Sequence, residues 1–199
     1  MYEEPMMMKL RMPLIIVVAA AMAIPLVSCR SKPKSKAETL VEQVANRGMM
    51  DVKAAKELQA MGEPAIKELL KACFNGRKEN QLVYAHLLVR IDVEPARFNA
   101  CVKLLNEHKD KDIRSRAVDG LARDHAPEEA IKMAIDLALN SPDPVLKASA
   151  ERTVSFCKVA KFDSLICKAL RQGLSDPDQT VREHAQLGLD RRREMGFCQ

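Results

Sequence analysis

Tryptophan is absent from these 199 residues, and only two tyrosines and five phenylalanines accompany a sparse seven glycines. Strands draw on aromatic and β-branched side chains and their hairpins on glycine, so this scarcity argues against a sheet-rich fold and favours helices. No Cys-x-x-Cys pair, no glycine-rich phosphate loop and no serine or cysteine in a nucleophile motif occurs, which removes zinc ribbons, P-loop enzymes and the common hydrolase elbows from consideration. Histidine is equally scarce, at four. His108-x-Asp110-x-Asp112 and Asp124-His125 have metal-ligating residue types. However, an intervening helix of about a dozen residues at 1.5 Å each keeps the two groups roughly 18 Å apart, so no single ion joins them. No metal and no cofactor is expected.

What the chain does have is charge, at 30%, and apolar residues, at 47%, the balance of a globular protein. The net charge of +5 is concentrated at the ends of the part beyond residue 29. Arg30, Lys32, Lys34 and Lys36 stand at one end and Arg191, Arg192 and Arg193 at the other, and the body between them is slightly acidic. A body without a basic stripe or interleaved aromatics speaks against nucleic acid as a partner.

Lys9 and Arg11 precede an apolar run from Met12 to Val27, which closes on the small Ser28 before Cys29. Charged, apolar and small is the layout of a secretory leader, and the run falls short of the roughly 20 residues needed to cross a bilayer. Leu26-Val27-Ser28-Cys29 resembles the lipobox of bacterial lipoproteins. That resemblance implies cleavage before Cys29, acylation of its thiol and new amino terminus, and a lipid-tethered protein on the exported, periplasmic side of a membrane. Arg30 follows the cysteine where many such proteins carry an inner-membrane aspartate, which implies the outer membrane in a two-membrane cell. The segment that follows, Arg30 to Glu38, reads as a flexible spacer, because it offers almost nothing to pack.

The remainder repeats. Pro64, Pro95 and Pro127 each open an apolar helical pattern, 31 and 32 residues apart, and proline suits the first turn of a helix. Asp-x-x-apolar-basic-x-x-Ala recurs at Asp110, Asp143 and Asp178, 33 and 35 residues apart. Such periods mark stacked helix hairpins. First helices are expected near Met50–Met61, Lys78–Ile91, Asp112–Arg123, Pro144–Val159 and Pro177–Arg192, and second helices near Pro64–Phe74, Pro95–Glu107, Pro127–Leu139 and Asp163–Gly173. The pattern resembles HEAT-type repeats of the short Asp, Val-Arg, Ala, Gly-Leu class. Asp110, Ile113, Arg114, Ala117, Gly120 and Leu121 match it, as do Asp178, Val181, Arg182, Ala185, Gly188 and Leu189. The resemblance implies an all-α, right-handed α-solenoid of about four hairpins plus a closing helix. The organisation expected is a leader over 1–28, a lipid-anchored flexible tether over 29–48, a repeat domain over 49–193 and a tail over 194–199.

Within each repeat the aspartate and the basic residue lie four apart on one helix face, so Asp110 with Arg114, Asp143 with Lys147 and Asp178 with Arg182 are expected to form a structural ladder between units. Cys73 and Cys101 fall at core positions. Cys157 and Cys167 flank the turn of the fourth hairpin, a placement open to a disulfide in an oxidising compartment, and Cys198 is expected free. Lys67, Lys103, Lys132 and Lys168 are polar positions on the second helices and form the expected binding face. These observations favour a non-enzymatic scaffold or adaptor that binds an unknown protein or peptide and is held at the membrane by its N-terminal lipid. A HEAT-like lyase or hydrolase with an unrecognised site is the alternative.

Overall fold

The computed structural model describes residues 33–47, 51–123 and 125–198, and all of its regular structure there is helical. Ten α-helices follow one another: α1 Lys36–Arg47, α2 Val52–Met61, α3 Glu63–Asn75, α4 Lys78–Leu88, α5 Ala96–Glu107, α6 Lys111–Asp119, α7 Glu128–Asn140, α8 Pro144–Ser155, α9 Asp163–Gly173 and α10 Gln179–Glu194. The first helices of the repeats (α2, α4, α6, α8, α10) pack as one row and α1, α3, α5, α7 and α9 as the other. All nine helices expected from the repeats are present.

Local chemistry accounts for the boundaries. The Asp51, Asp110, Asp143 and Asp178 carboxylates accept from the first free backbone amides of α2, α6, α8 and α10, the pairing an N-terminal aspartate supplies. Pro64 and Pro144 occupy first-turn positions of α3 and α8, where no amide is needed.

One apolar core runs from Leu40 to Cys198 between the two rows. Leu58, Leu69, Leu88, Leu104, Ile113, Ile166 and Leu170 are inaccessible to solvent or nearly so. Each such side chain contributes roughly 1.5 to 3 kcal/mol by leaving water. Gly120 allows the close approach of α6 to α5, since a Cβ there would lie 2.5 Å from Cys101 Sγ.

Helix α1 corrects the expected tether. A flexible tether is expected over 29–48, but Ser35 caps a helix beginning at Lys36, and Ala37, Leu40, Val41 and Val44 are buried against the next hairpin. The apolar spacing 37, 40, 41, 44 is a helical face, hidden in sequence behind the cations that precede it. The leader and Cys29 lie outside the described residues. Among the described residues no helix is long and apolar enough to cross a membrane.

Candidate functional site

The sequence-derived residues take places that are mostly structural. Asp110, Asp143 and Asp178 spend their carboxylates on helix caps and form no ion pair with the basic residue four positions on. Arg114 Nε donates to the Leu105 carbonyl at 2.9 Å, and Arg182 Nη1 donates to the Asp176 and Pro177 carbonyls at 2.7 and 2.8 Å. Of the three basic residues only Lys147 is in an ion pair, with Asp176 Oδ2 at 2.6 Å, both side chains being 11% exposed. None of the three expected pairs therefore forms, because a capping aspartate points along the chain toward free amides and not across to its helix neighbour.

The cysteine pairing also differs. Cys167 is bonded to Cys198, with Cα atoms 5.4 Å apart, while Cys157 is free and buried. The tail after α10 folds back, with the Phe197 ring against the Arg192 guanidinium, and carries Cys198 to α9. Burial pushes the thiols of Cys73 and Cys101 up to about 12, so both are inert core residues. His108 is no metal ligand: Nδ1 accepts from the Asp110 amide at 3.1 Å, which leaves Nε2–H to donate to the Cys73 carbonyl, also at 3.1 Å. Lys67, Lys103, Lys132 and Lys168 are exposed on α3, α5, α7 and α9, and none lines either of the two grooves described next.

Two grooves lie on the opposite row. One, of about 390 Å³, is bounded by Asp119, Arg123, Arg152, Phe156 and Lys158. The other, of about 330 Å³, contains Ser115, Arg116, Ser149, Arg152, Thr180 and His184. Arg152 belongs to both. Small side chains let α6 and α8 meet here, with Ser115 and Ser149 hydroxyls 2.6 Å apart. Asp119 sits at the junction between two guanidiniums. Its Oδ2 accepts from Arg116 Nη1 at 2.8 Å and its Oδ1 from Arg152 Nη2 at 2.6 Å, the second donor coming from the next repeat.

Two histidines on neighbouring first helices feel the charge of that carboxylate. His86 on α4 is held below the ordinary histidine range by burial, then by the positive charge of Arg90 and Arg116, against an opposing pull from Asp119. His184 on α10 is lowered by burial and by Arg152, again with Asp119 opposing. At neutral pH both are neutral imidazoles, able to accept a proton, while the arginines supply fixed positive charge. One chemistry-bearing residue thus comes from each of four successive first helices: His86, Asp119, Arg152 and His184. These four residues are successively 32 or 33 positions apart in the chain, so no local pattern brings them together. The available signal was the repeat period itself, since Arg152 follows Asp119 by 33 residues, one repeat.

No family model matches the sequence, and no curated protein matches it either. Among solved structures, the complex of CpcE and CpcF of phycocyanin lyase from Nostoc sp. PCC7120 is similar at a TM-score of 0.60 and 17% identity. The match covers 76% of this chain and 96% of that one. This chain has a HEAT-like helical-repeat fold. An engineered protein from a structural genomics consortium aligns at a TM-score of 0.42 and 21% identity over 79% of each chain, too remote to bear on the argument.

The lyase likeness overturns one expectation. A HEAT-like solenoid of this kind was read as a scaffold without catalytic activity, yet the structure that shares its fold comes from a lyase. The non-enzymatic reading is withdrawn. The same structure is a complex of two proteins, which accords with the expectation of a protein partner.

Proposed function

We propose that this chain is a HEAT-like enzyme of the lyase type, and that its site is the ridge formed by His86, Asp119, Arg152 and His184. The observation that carries the reading is a carboxylate clamped by Arg116 and Arg152 on the row of helices that also carries His86 and His184, both of which feel its charge. Addition and elimination need a base to remove a proton and an acid to return it; a neutral imidazole serves as the base, and its protonated form then returns the proton. Asp119 holds the two arginines in place. Arg152 lines both grooves and Arg116 one of them, and guanidiniums there suit a carboxylate or a developing oxyanion on the substrate. The likeness to one chain of a phycocyanin lyase complex supports the reaction class, and suggests that the active form contains a second protein.

The test uses phycocyanin as the first substrate. The chain is incubated with it and the visible spectrum is followed, for the wild type and for His184→Gln and Asp119→Asn. A spectral change catalysed by the wild type and lowered at least about 100-fold in both variants is the expected result. No change with wild type, or equal change with all three, refutes the reading.

Location is a separate proposal. The charged leader, the apolar run and the Leu26-Val27-Ser28-Cys29 box support a lipid on Cys29 and a tether on the exported face of a membrane. A fatty acid label that marks wild type and Cys29→Ser equally would sink it.

A further inference from the structure

The first helices end at one edge of the solenoid, and each end carries a cation. Arg90 lies two residues beyond α4, Arg123 four beyond α6, Lys158 three beyond α8, and Arg191 in the last turn of α10. Their spacing is 33, 35 and 33 residues, so the repeat delivers one cation per unit to the same edge. The neighbours agree: Arg90 and Arg123 both act on His86, Arg123 and Lys158 line one groove, and Arg191 stacks on the ring of Phe156 in that groove, 3.9 Å from its centroid.

Cations near helix C-termini complement the helix dipole, and that alone would account for their sign. It does not account for their freedom. Arg90, Arg123 and Lys158 are exposed and form no salt bridge among the described residues. Some cations near helix ends are engaged instead, as Arg116 is with Asp119 and Arg192 with Asp163.

We propose that this edge binds an extended acidic peptide of a partner protein, its carboxylates falling at every third residue. The spacing follows from geometry. Packed helices stand 8 to 10 Å apart, so successive cations along the row are separated by about that distance. A chain in the polyproline II conformation advances about 3.1 Å per residue with three residues per turn, so every third side chain falls on one face, roughly 9 Å apart, and brings one carboxylate to each cation. The exposed Phe156, at 53%, offers an apolar stop between the Lys158 and Arg191 positions. None of Arg90, Arg123 and Lys158 is a member of the proposed catalytic ridge, although Arg123 and Lys158 share a groove with Asp119 and Arg152 and Arg90 and Arg123 act on His86; the test therefore reads peptide binding, which needs no catalytic activity.

Fluorescence anisotropy on the full chain tests it with three probes. These are a labelled peptide with glutamate at every third position of a Gly/Ser chain, the same composition with the glutamates contiguous, and inorganic polyphosphate as a competitor. The spaced peptide is expected to bind at least about tenfold more tightly than the contiguous one, and more weakly as salt rises. The triple variant Arg90→Glu/Arg123→Glu/Lys158→Glu should lose about 100-fold in affinity with its helical circular dichroism unchanged. Equal binding of the two peptides, no binding of the spaced one, or full affinity in the folded triple variant overturns the proposal. Polyphosphate competing as well as the spaced peptide overturns it in favour of a general polyanion site. If the triple variant unfolds, the ratio between the two peptides on wild type decides alone.

Discussion

Glu151 should make the protein less stable as pH rises from 5 to 8, and replacing it by glutamine should remove that slope. The side chain lies on α8 with no exposed surface, and neither carboxyl oxygen has a hydrogen-bond partner. A Cβ at Gly173 would come within 1.9 Å of Glu151 Oε1, so α9 closes directly over the carboxyl. Burial pushes its pKa up to about 8, with Lys147 pulling down and Asp176 pushing up. The folded protein therefore holds a proton that the unfolded chain releases near pH 4.5. Stability is highest below that value, falls between it and about 8, and is level above.

Each pH unit of that window is worth at most about 1.4 kcal/mol. The whole window would give nearly 5 kcal/mol, but Lys147 lies close enough to turn toward an ionised Glu151, so about 2 kcal/mol is the expected loss. Urea unfolding of wild type and Glu151→Gln at half-unit steps from pH 5 to 9 reads it directly. All other titrating groups are shared, so the difference between the two curves isolates Glu151. A difference curve falling by about 2 kcal/mol toward alkaline pH is expected. A flat difference would mean that the carboxyl ionises as it does in water, and would refute the argument.

Gly173→Ala should cost about 2 kcal/mol in the same assay, and less in an Glu151→Ala background, because the new methyl and the carboxylate contend for one space. Cys198→Ser should cost about 3 kcal/mol in oxidised protein and nothing under reducing conditions, since the lost bond closes a loop with a sequence separation of 31. Asp176→Asn should cost about 1 to 2 kcal/mol by leaving Lys147 nearly buried without its partner, whereas Asp143→Ala should cost about 1 kcal/mol through its helix cap alone.

The helices were legible because proline starts, aspartate caps and apolar spacing recur together at Pro64, Pro127, Asp110 and Asp178. Their repetition also fixed which positions face the core. Helix α1 escaped notice because the lysines around Ser35 mask the short apolar face of Leu40 and Val44. The pairing of Cys167 with Cys198 was not legible either: it depends on the tail turning back through Phe197 and Arg192, a path that no local pattern encodes. The ridge of His86, Asp119, Arg152 and His184 falls between these cases. Its members occupy nearly equivalent positions of four repeats, but no two are close in sequence, so only the stacking of helices makes them neighbours. Nothing in the local sequence sets Glu151 apart from an exposed glutamate, and its burial follows from the glycine opposite it on another helix.

The most direct test of the account is a pH–rate profile with phycocyanin for wild type, His86→Gln and His184→Gln. The account predicts a wild-type acidic limb with an apparent pKa below the usual histidine value, in line with the burial and neighbouring arginines that lower both imidazoles, and the loss of that limb in at least one variant. Full activity with an unchanged profile in both variants would contradict it.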